Sequence, residues 1–335
     1  MKLVMTLLAR DEADIVDAHL SFHLNAGVDY VIATDHRSMD GTTEILESYA
    51  RAGVLRLFRE EGEFTRQGEW QTRMARLAAT EHRADWVINS DADEFWWPRC
   101  GSLKESLALT PEGCGVVRGL LRSFLPLRAD DGRFSERMTI RLALAAPIND
   151  PATPYRPAGK VAHRGHPEVV VGEGGSHQVF GLPGPLLRAW HPVEIFHLPL
   201  RSKEQCARKY RKTWTGWTKN LRGDLARARL ASGEGREDVI WNRVALGRDD
   251  VEQGLNEGWL ASDTRLRDAL RAVSGSPHPG FAVDDHGSPL PDRAELDAHA
   301  LEAVVFEEAE LVRYSRWLDD LSARLARVES ATGPA

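Results

Sequence analysis

Four short apolar runs, separated by segments of helical periodicity, occupy the first hundred residues, and this alternation limits the fold more than any other feature. The runs cover residues 3–9, 28–34, 54–58 and 86–89. None of them has a 3.6-residue period, so each predicts a buried strand. Strands that alternate with helices at this spacing are typical of a sheet with helices on both faces. The sequence therefore predicts an α/β fold built on a mixed, mainly parallel sheet.

Polar side chains follow three of these runs. Arg10 and Asp11 come after the first run, Asp35 and Asp40 after the second, and the segment 91–94 after the fourth. In sheets of this kind ligands lie beyond the carboxyl ends of the strands. Taken singly, each polar residue is explained by a cap or a turn, and Asp40 is predicted to be the N-cap of the next helix. Their shared position predicts a ligand site at one edge of the sheet.

The segment 91–94 contributes three carboxylates within four residues, Asp91, Asp93 and Glu94, which we call the acidic turn. Carboxylates this close repel one another unless a cation lies among them. A divalent metal ion that also binds phosphate oxygens is a natural partner for such a group. An isolated D-x-D is more often a plain charged turn. The neighbouring strand ends must therefore decide between a charged turn and a metal site.

Composition excludes several classes of function. The 335-residue chain has a formal net charge of −7 and no basic surface signature, which argues against nucleic acid as a partner. Its cysteines are Cys100, Cys114 and Cys206, without a C-x-x-C pair, so neither a zinc site nor a disulfide framework is expected. The N-terminus does not resemble a signal peptide, and no apolar run is long enough for a membrane span. We expect a cytoplasmic protein, with a peripheral position at the inner membrane surface as the alternative.

Three motifs together resemble one enzyme family. They are TLLARDEADI at 6–15, DHRSMDGT at 35–42 and DWVINSDADEF at 85–95. The set resembles family 2 glycosyltransferases of the GT-A (Rossmann-like) fold, in the branch related to family 92, except that Asp11 stands where Asn is common. The resemblance extends over residues 1 to about 215. It implies transfer of a sugar, with inversion, from a nucleotide-diphosphate sugar to a hydroxyl acceptor, with a UDP-sugar as first choice of donor.

The same resemblance implies roles for particular residues. Asp91, Asp93 and His197 would hold a divalent ion, and imidazole among the ligands favours Mn²⁺ over Mg²⁺. On helical periodicity alone, Arg73 is better explained as a helix surface residue. The residues implied in binding the nucleotide sugar are Thr6, Leu7, Arg10, Asp35, Gln71, Arg73, Asp91, Arg201 and Lys203.

An inverting transferase also needs a base that accepts the proton of the acceptor hydroxyl. The Pro-, Gly- and His-rich segment 147–186 offers four candidates: Glu173, Glu168, His177 and Asp150. Glu173 is the first choice, because the glycines around it permit a tight loop. An exposed loop carboxylate is the simpler explanation of this residue.

The predicted domain organisation has two parts. Residues 1–215 form the catalytic domain, with a nucleotide-binding half at 1–97 and an acceptor and metal-histidine half at 98–215. Residues 216–335 form a helical C-terminal extension that ends in a long amphipathic helix at 293–329. This helix is expected to dock on the catalytic domain, with a homodimer as the alternative.

Two other functions are consistent with a sheet of this kind. A sugar-1-phosphate nucleotidyltransferase typically has a glycine-rich loop after the first strand to hold a triphosphate, whereas the loop at 8–14 is acidic and lacks glycine. A non-catalytic assembly partner would not need to retain the residue types of a metal site.

Overall fold

The computed structural model describes residues 1–62, 66–99, 101–129, 132–143, 159–172, 176–184, 191–213, 241–242 and 244–273, together with positions 304, 307, 315, 319, 322 and 323. The strands within these residues are β1 (Leu3–Ala9), β2 (Tyr30–His36), β3 (Leu55–Glu60), β4 (Trp86–Asp91), β5 (Glu94–Pro98), β6 (Val116–Ser123), β7 (Ile140–Leu142), β8 (Gly159–Arg164), β9 (Val170–Val171), β10 (Val179–Phe180), β11 (Val193–His197) and β12 (Leu260–Ser262). The helices are α1 (Val16–Asn25), α2 (Thr42–Arg51), α3 (Gln67–Thr80), α4 (Leu103–Ala108), α5 (Phe134–Arg137), α6 (Lys203–Thr213), α7 (Arg248–Glu257) and α8 (Arg265–Val273).

Eight strands form one sheet in the order β3-β2-β1-β4-β8-β6-β11-β5. The pairs β1–β2, β2–β3, β1–β4 and β6–β11 are parallel. Strand β8 lies antiparallel between β4 and β6, and β5 is antiparallel to β11 at the edge. The predicted fold class, a mixed and mainly parallel sheet flanked by helices, is confirmed.

Strand β1 shows why the sheet is buried on both faces. Alternate side chains point to opposite faces of a strand. Leu3, Met5 and Leu7 pack with α1 and α2 in one apolar cluster, while Val4 packs with Met74 of α3 in another. Fully burying an apolar side chain of this size stabilises the fold by about 1.5–3 kcal/mol. The continuous apolar run of the sequence is therefore a consequence of two helical layers.

One predicted helix boundary is wrong by one residue. Helix α2 has Gly41 as its N-cap, in the left-handed conformation with φ of 99°, instead of Asp40. The Asp40 carboxylate accepts hydrogen bonds from the Thr42 amide at 3.2 Å and from the Ala13 amide at 3.2 Å. Asp40 therefore ties the start of α2 to the loop after β1.

The chain beyond residue 216 is described in part. Strand β12 pairs with β7, and α8 contacts α1 and α5. Most of the amphipathic segment 293–329 lies outside the described residues, so the domain division and the homodimer stay predictions. Among the helices that are described, none combines the length and apolar character needed to cross a bilayer.

Candidate functional site

The acidic turn lies where β4 ends and β5 begins, at the carboxyl edge of the parallel strands. Leu8 near the end of β1 is paired with Asp91. On the other side, His197 at the end of β11 is paired with Glu94. The register of the sheet thus brings a late histidine to the acidic turn from more than a hundred residues away.

Three potential metal ligands meet here. One ligand atom from each of Asp93, Glu94 and His197 lies within 4.8 Å of the others, and His197 Nε2 is 3.7 Å from Asp93 Oδ1. Both carboxylates are buried. Burial lowers the pKa of His197 to about 4, so at pH 7 its imidazole is neutral, the form that ligates metals. Two carboxylates and one imidazole suit Mn²⁺.

Asp91, the third carboxylate of the acidic turn, pairs with a lysine that also contacts Glu94. Lys160 of β8 lies with Nζ 2.6 Å from Asp91 Oδ2 and 3.0 Å from Glu94 Oε1. Its side chain is 4% exposed, and Ser176 Oγ is a further acceptor at 3.4 Å. Burial raises the pKa of Glu94 to about 8, although Lys160 acts in the opposite direction. The sequence assigns no role to Lys160, because its contacts with the acidic turn depend on β8 pairing with β4.

Arg201, which the sequence implied in binding the diphosphate, has acidic partners of its own. It is fully buried, and its guanidinium donates to Asp14 at 2.7 Å, to Glu12, and to the Leu198 carbonyl at 3.0 Å. The Leu198 amide in turn donates to the Asp93 carbonyl at 2.9 Å. Arg201 therefore joins the loop after β1 to the loop after β11, beside the acidic turn.

Helix α6 brings a second lysine to the same turn. Lys209 Nζ lies 2.9 Å from Asp93 Oδ2 and 3.0 Å from the Pro199 carbonyl. Burial opposes ionisation of Asp93, but Lys209 and His197 outweigh it and hold the pKa of this carboxyl below its usual range. Lys203, implied in donor binding, is the exposed first residue of α6.

Buried polar side chains, which we call the polar cluster, lie on the α3 side of the sheet. Thr6 Oγ1 donates to Asn89 Oδ1 at 2.9 Å, and both residues are buried. Gln71 is 1% exposed, yet neither its amide oxygen nor its amide nitrogen has a hydrogen-bond partner among the described residues, and the same holds for Asn89 Nδ2. A buried polar group without a partner costs about 1–3 kcal/mol, so such atoms indicate a missing ligand or water.

The position of Gln71 on α3 places it toward the strand ends. Met74, one turn later in the helix, contacts the Thr34 hydroxyl through its sulfur at 3.2 Å. Because α3 returns from the carboxyl edge to the start of β4, residues before Met74 lie nearer that edge. Gln71 therefore belongs to the same edge as the acidic turn.

The other residues that the resemblance implies in donor binding lie in three different environments. Asp35 is buried on the α2 side, where it accepts from Thr43 Oγ1 and from the Ser38 amide. Leu7 is part of the apolar core against α1. Arg73 pairs with Glu60 at 2.7 Å on the surface of α3.

Arg10 and Asp11 form the turn after β1. Burial, with the nearby Arg37, lowers the pKa of Arg10, and its Nε has no hydrogen-bond partner among the described residues. Asp11 has a φ of 54°, a left-handed conformation that Asn and Asp tolerate better than most residues. Its carboxylate accepts from the Met39 amide at 2.6 Å, which ties this turn to the loop after β2.

Two of the four candidate bases can be located. Glu173 and Asp150 lie outside the described residues. Glu168 follows β8, whose last residue pairs with Trp86 at the start of β4, so Glu168 lies toward the opposite end of the sheet. His177 is next to Ser176, and its Nδ1 is 2.7 Å from the Gly159 carbonyl.

The hydrogen bond of His177 fixes its tautomer. A carbonyl oxygen can only accept, so Nδ1 carries the proton and Nε2 has the lone pair. Gly159 is adjacent to Lys160, which contacts the acidic turn. Of the two located candidates, His177 is therefore the one hydrogen-bonded to the strand that carries Lys160.

No protein-family model and no curated protein matches this sequence. Among solved structures, similarity is found to S. aureus TarS 1-349 in complex with UDP, with a TM-score of 0.34, 13% identity and 72% of each chain covered. Similarity is also found to glucosyl-3-phosphoglycerate synthase from Mycobacterium tuberculosis in complex with Mn²⁺, UDP and phosphoglyceric acid, with a TM-score of 0.24, 25% identity, and 40% of this chain and 45% of that chain covered. For 4-diphosphocytidyl-2C-methyl-D-erythritol synthase the TM-score is 0.28 at 15% identity, with 49% of this chain and 75% of that chain covered.

Proposed function

We propose that the protein is a metal-dependent glycosyltransferase that moves a sugar, with inversion, from a nucleoside-diphosphate sugar to a hydroxyl acceptor. The observation that carries the proposal is the group Asp93, Glu94 and His197, whose ligand atoms lie within 4.8 Å of one another at the carboxyl edge of the sheet. Ligands of α/β sheets bind at this edge.

The metal would be held by Asp93, Glu94 and His197, with Mn²⁺ favoured by the imidazole. When bound, such an ion neutralises the negative charge that grows on the leaving diphosphate. Asp91 is turned toward Lys160 and its side chain is 38% exposed, so it fits a contact to the ribose better than a place among the metal ligands.

The polar cluster of Thr6, Gln71 and Asn89, with its unpartnered amide atoms, supports a nucleobase site beside the metal ligands. The Gln71 amide offers one donor and one acceptor, neither of which has a partner among the described residues. The imide edge of uracil presents the complementary acceptor and donor. A UDP-sugar is therefore the donor we propose.

For the acceptor proton, His177 is favoured over Glu168. Its Nε2 carries the lone pair, and its neighbour Ser176 contacts Lys160 at 3.4 Å. An imidazole whose Nδ1 donates to a carbonyl has the geometry to accept a proton at Nε2. Glu173 stays a second candidate.

The nucleotidyltransferase alternative is less well supported. The loop after β1 contains no glycine, and its acidic residues Glu12 and Asp14 are held by Arg201. Two carboxylates at this place would repel a triphosphate rather than hold it.

Thermal-shift measurements with UDP, GDP, TDP and CMP, each with and without Mn²⁺, test the proposal. Binding to the folded state raises the unfolding midpoint. We expect the largest shift for UDP, and only when Mn²⁺ is present. No shift with any nucleotide would contradict the proposal and favour a non-catalytic partner, whereas a shift that is independent of Mn²⁺ would contradict the metal assignment.

A further inference from the structure

Two lysines pair with carboxylates of the acidic turn, and they differ in how deeply they are buried. Lys160 lies in the middle of the sheet, is 4% exposed, and has acceptors on Asp91, Glu94 and Ser176. These three acceptors match the three protons of an ammonium group. Lys160 is therefore a fixed charge of the site.

Lys209 is held in a different way. It reaches the turn from α6 on a flexible four-carbon stem, and 41% of its side chain is exposed. Its contacts within the site include Asp93 Oδ2 at 2.9 Å and the Pro199 carbonyl at 3.0 Å. An ammonium in this position can move into solvent or toward a bound anion without any change in the backbone.

Lys209 also shares its acceptor with the metal site. Asp93 Oδ1 faces His197 Nε2 at 3.7 Å, while Oδ2 faces Lys209. A divalent ion on Asp93 and an ammonium on the same carboxylate would repel each other strongly at this short range. Once Asp93 ligates a metal ion, the favourable position for Lys209 is next to the negative charge of the donor.

We propose that Lys209 is a displaceable counter-ion of Asp93, which balances this carboxylate before the metal binds and contacts the donor diphosphate afterwards. This inference rests on the proposed metal and donor site. The inference predicts that removing Lys209 changes the affinities for the metal ion and for the donor in opposite directions. The lysine competes with the metal ion for Asp93, but it assists binding of the donor.

The test measures Mn²⁺ binding and UDP binding separately in four proteins. These are the wild type, Lys209→Met, Lys209→Arg and Lys104→Met. Lys104 pairs with Asp29 at 2.7 Å near the amino ends of β1 and β2, so its variant removes a similar ion pair far from the acidic turn. Electron paramagnetic resonance of free Mn²⁺ gives the metal affinity without nucleotide, and calorimetry with saturating Mn²⁺ gives the UDP affinity.

We expect Lys209→Met to bind Mn²⁺ about three- to tenfold more tightly and UDP about three- to tenfold more weakly than the wild type. Lys209→Arg keeps the charge, so its Mn²⁺ affinity should stay close to that of the wild type, and Lys104→Met should match the wild type in both measurements. Equal or weaker Mn²⁺ binding by folded Lys209→Met would overturn the inference, as would unchanged UDP binding. If the wild type itself does not bind Mn²⁺, or Asp93→Asn binds it equally well, the proposed function fails as well.

Discussion

Among the described residues, two buried groups of charged side chains differ in the sign of their excess charge. The first is the acidic turn with its lysines. The second, which we call the Glu194 network, consists of Glu194 with Arg99, Arg122 and Arg265. Glu194 is nearly buried and lies 2.7 Å from Arg122, 2.8 Å from Arg265 and 3.9 Å from Arg99. One carboxylate thus faces three guanidinium groups, whereas in the acidic turn carboxylates predominate.

The difference separates a structural ion network from a ligand site. In the Glu194 network the arginines outweigh burial and hold the pKa of Glu194 well below its usual range. Arg265 also lies over the ring of Phe196, at 4.7 Å from its centroid, which fixes it further. In the acidic turn, burial raises the pKa of Glu94 to about 8. An excess of carboxylates can accept a divalent cation, and an excess of guanidinium groups repels one.

The largest expected effect is on stability, from Glu194→Gln. The change removes the carboxylate that faces Arg99, Arg122 and Arg265, of which Arg265 also pairs with Asp263 at 2.6 Å. Breaking a buried ion pair costs about 3–5 kcal/mol. Urea unfolding should show this loss as a lower midpoint. The control is Glu69→Gln, which removes the exposed pair with Arg66 and should leave the unfolding midpoint almost unchanged, because solvent screens such a pair. Equal losses in the two variants would contradict a structural role for the Glu194 network.

Arg201 lies beside the acidic turn, and its substitution tests whether it has a structural role, like the arginines of the Glu194 network, or a ligand-binding role. If it joins the loops as we describe, Arg201→Lys loses the forked contact to Glu12 and Asp14 and should destabilise the protein by about 1–3 kcal/mol. The measurement is urea unfolding in the absence of ligands. Unchanged stability together with weaker UDP binding would instead support the diphosphate contact that the sequence implied.

Gln71→Leu should change stability and binding in opposite directions. Removing an amide that has no partner among the described residues relieves a desolvation cost, so the ligand-free protein should gain up to about 1 kcal/mol. The same change removes the complementary groups for the nucleobase, and UDP binding should weaken about tenfold. Unfolding and calorimetry measure the two effects. A loss of stability with unchanged UDP binding would rule out the polar cluster as the nucleobase site.

The smallest effect is the pH dependence of the Glu194 contribution. Its folded-state pKa is depressed below the ordinary value of about 4.3, so the stabilisation is fully present above that pH. As the pH falls below about 4.3, the unfolded chain takes up the proton first and the stabilisation is lost. The difference in stability between the wild type and Glu194→Gln should be constant from about pH 6 to 9 and should shrink below about 4.3. A difference that varies between pH 6 and 9 would contradict this assignment.

The sequence predicts the acidic turn but not the Glu194 network, because the first consists of neighbours in the chain and the second of residues far apart in sequence. Asp91, Asp93 and Glu94 are neighbours in the chain, so their repulsion can be read directly. Glu194 meets Arg99 and Arg122 only because β5, β6 and β11 are adjacent in the sheet. Strand periodicity predicts that these segments are strands but does not determine their order.

The same limit applies inside the candidate site. Local motifs predicted Asp93 and His197, which the structure brings together with Glu94. Lys160 could not be found in this way, because its contacts depend on β8 lying antiparallel beside β4. The family resemblance implies a diphosphate contact for Arg201, although the acidic partners of Arg201 in the structure come from the loop after β1.

The central claim is that Asp93 belongs to a metal site that binds the donor diphosphate. Calorimetric titration of UDP with and without Mn²⁺, in the wild type, Asp93→Asn and Asp268→Asn, tests it most directly. Asp268 is an exposed residue of α8 that pairs with Arg267, so its variant controls for loss of a carboxylate. We expect Mn²⁺ to increase UDP affinity at least about tenfold in the wild type and in Asp268→Asn, and to have no effect in folded Asp93→Asn. An equal increase in all three proteins, or no increase in the wild type, would contradict the claim.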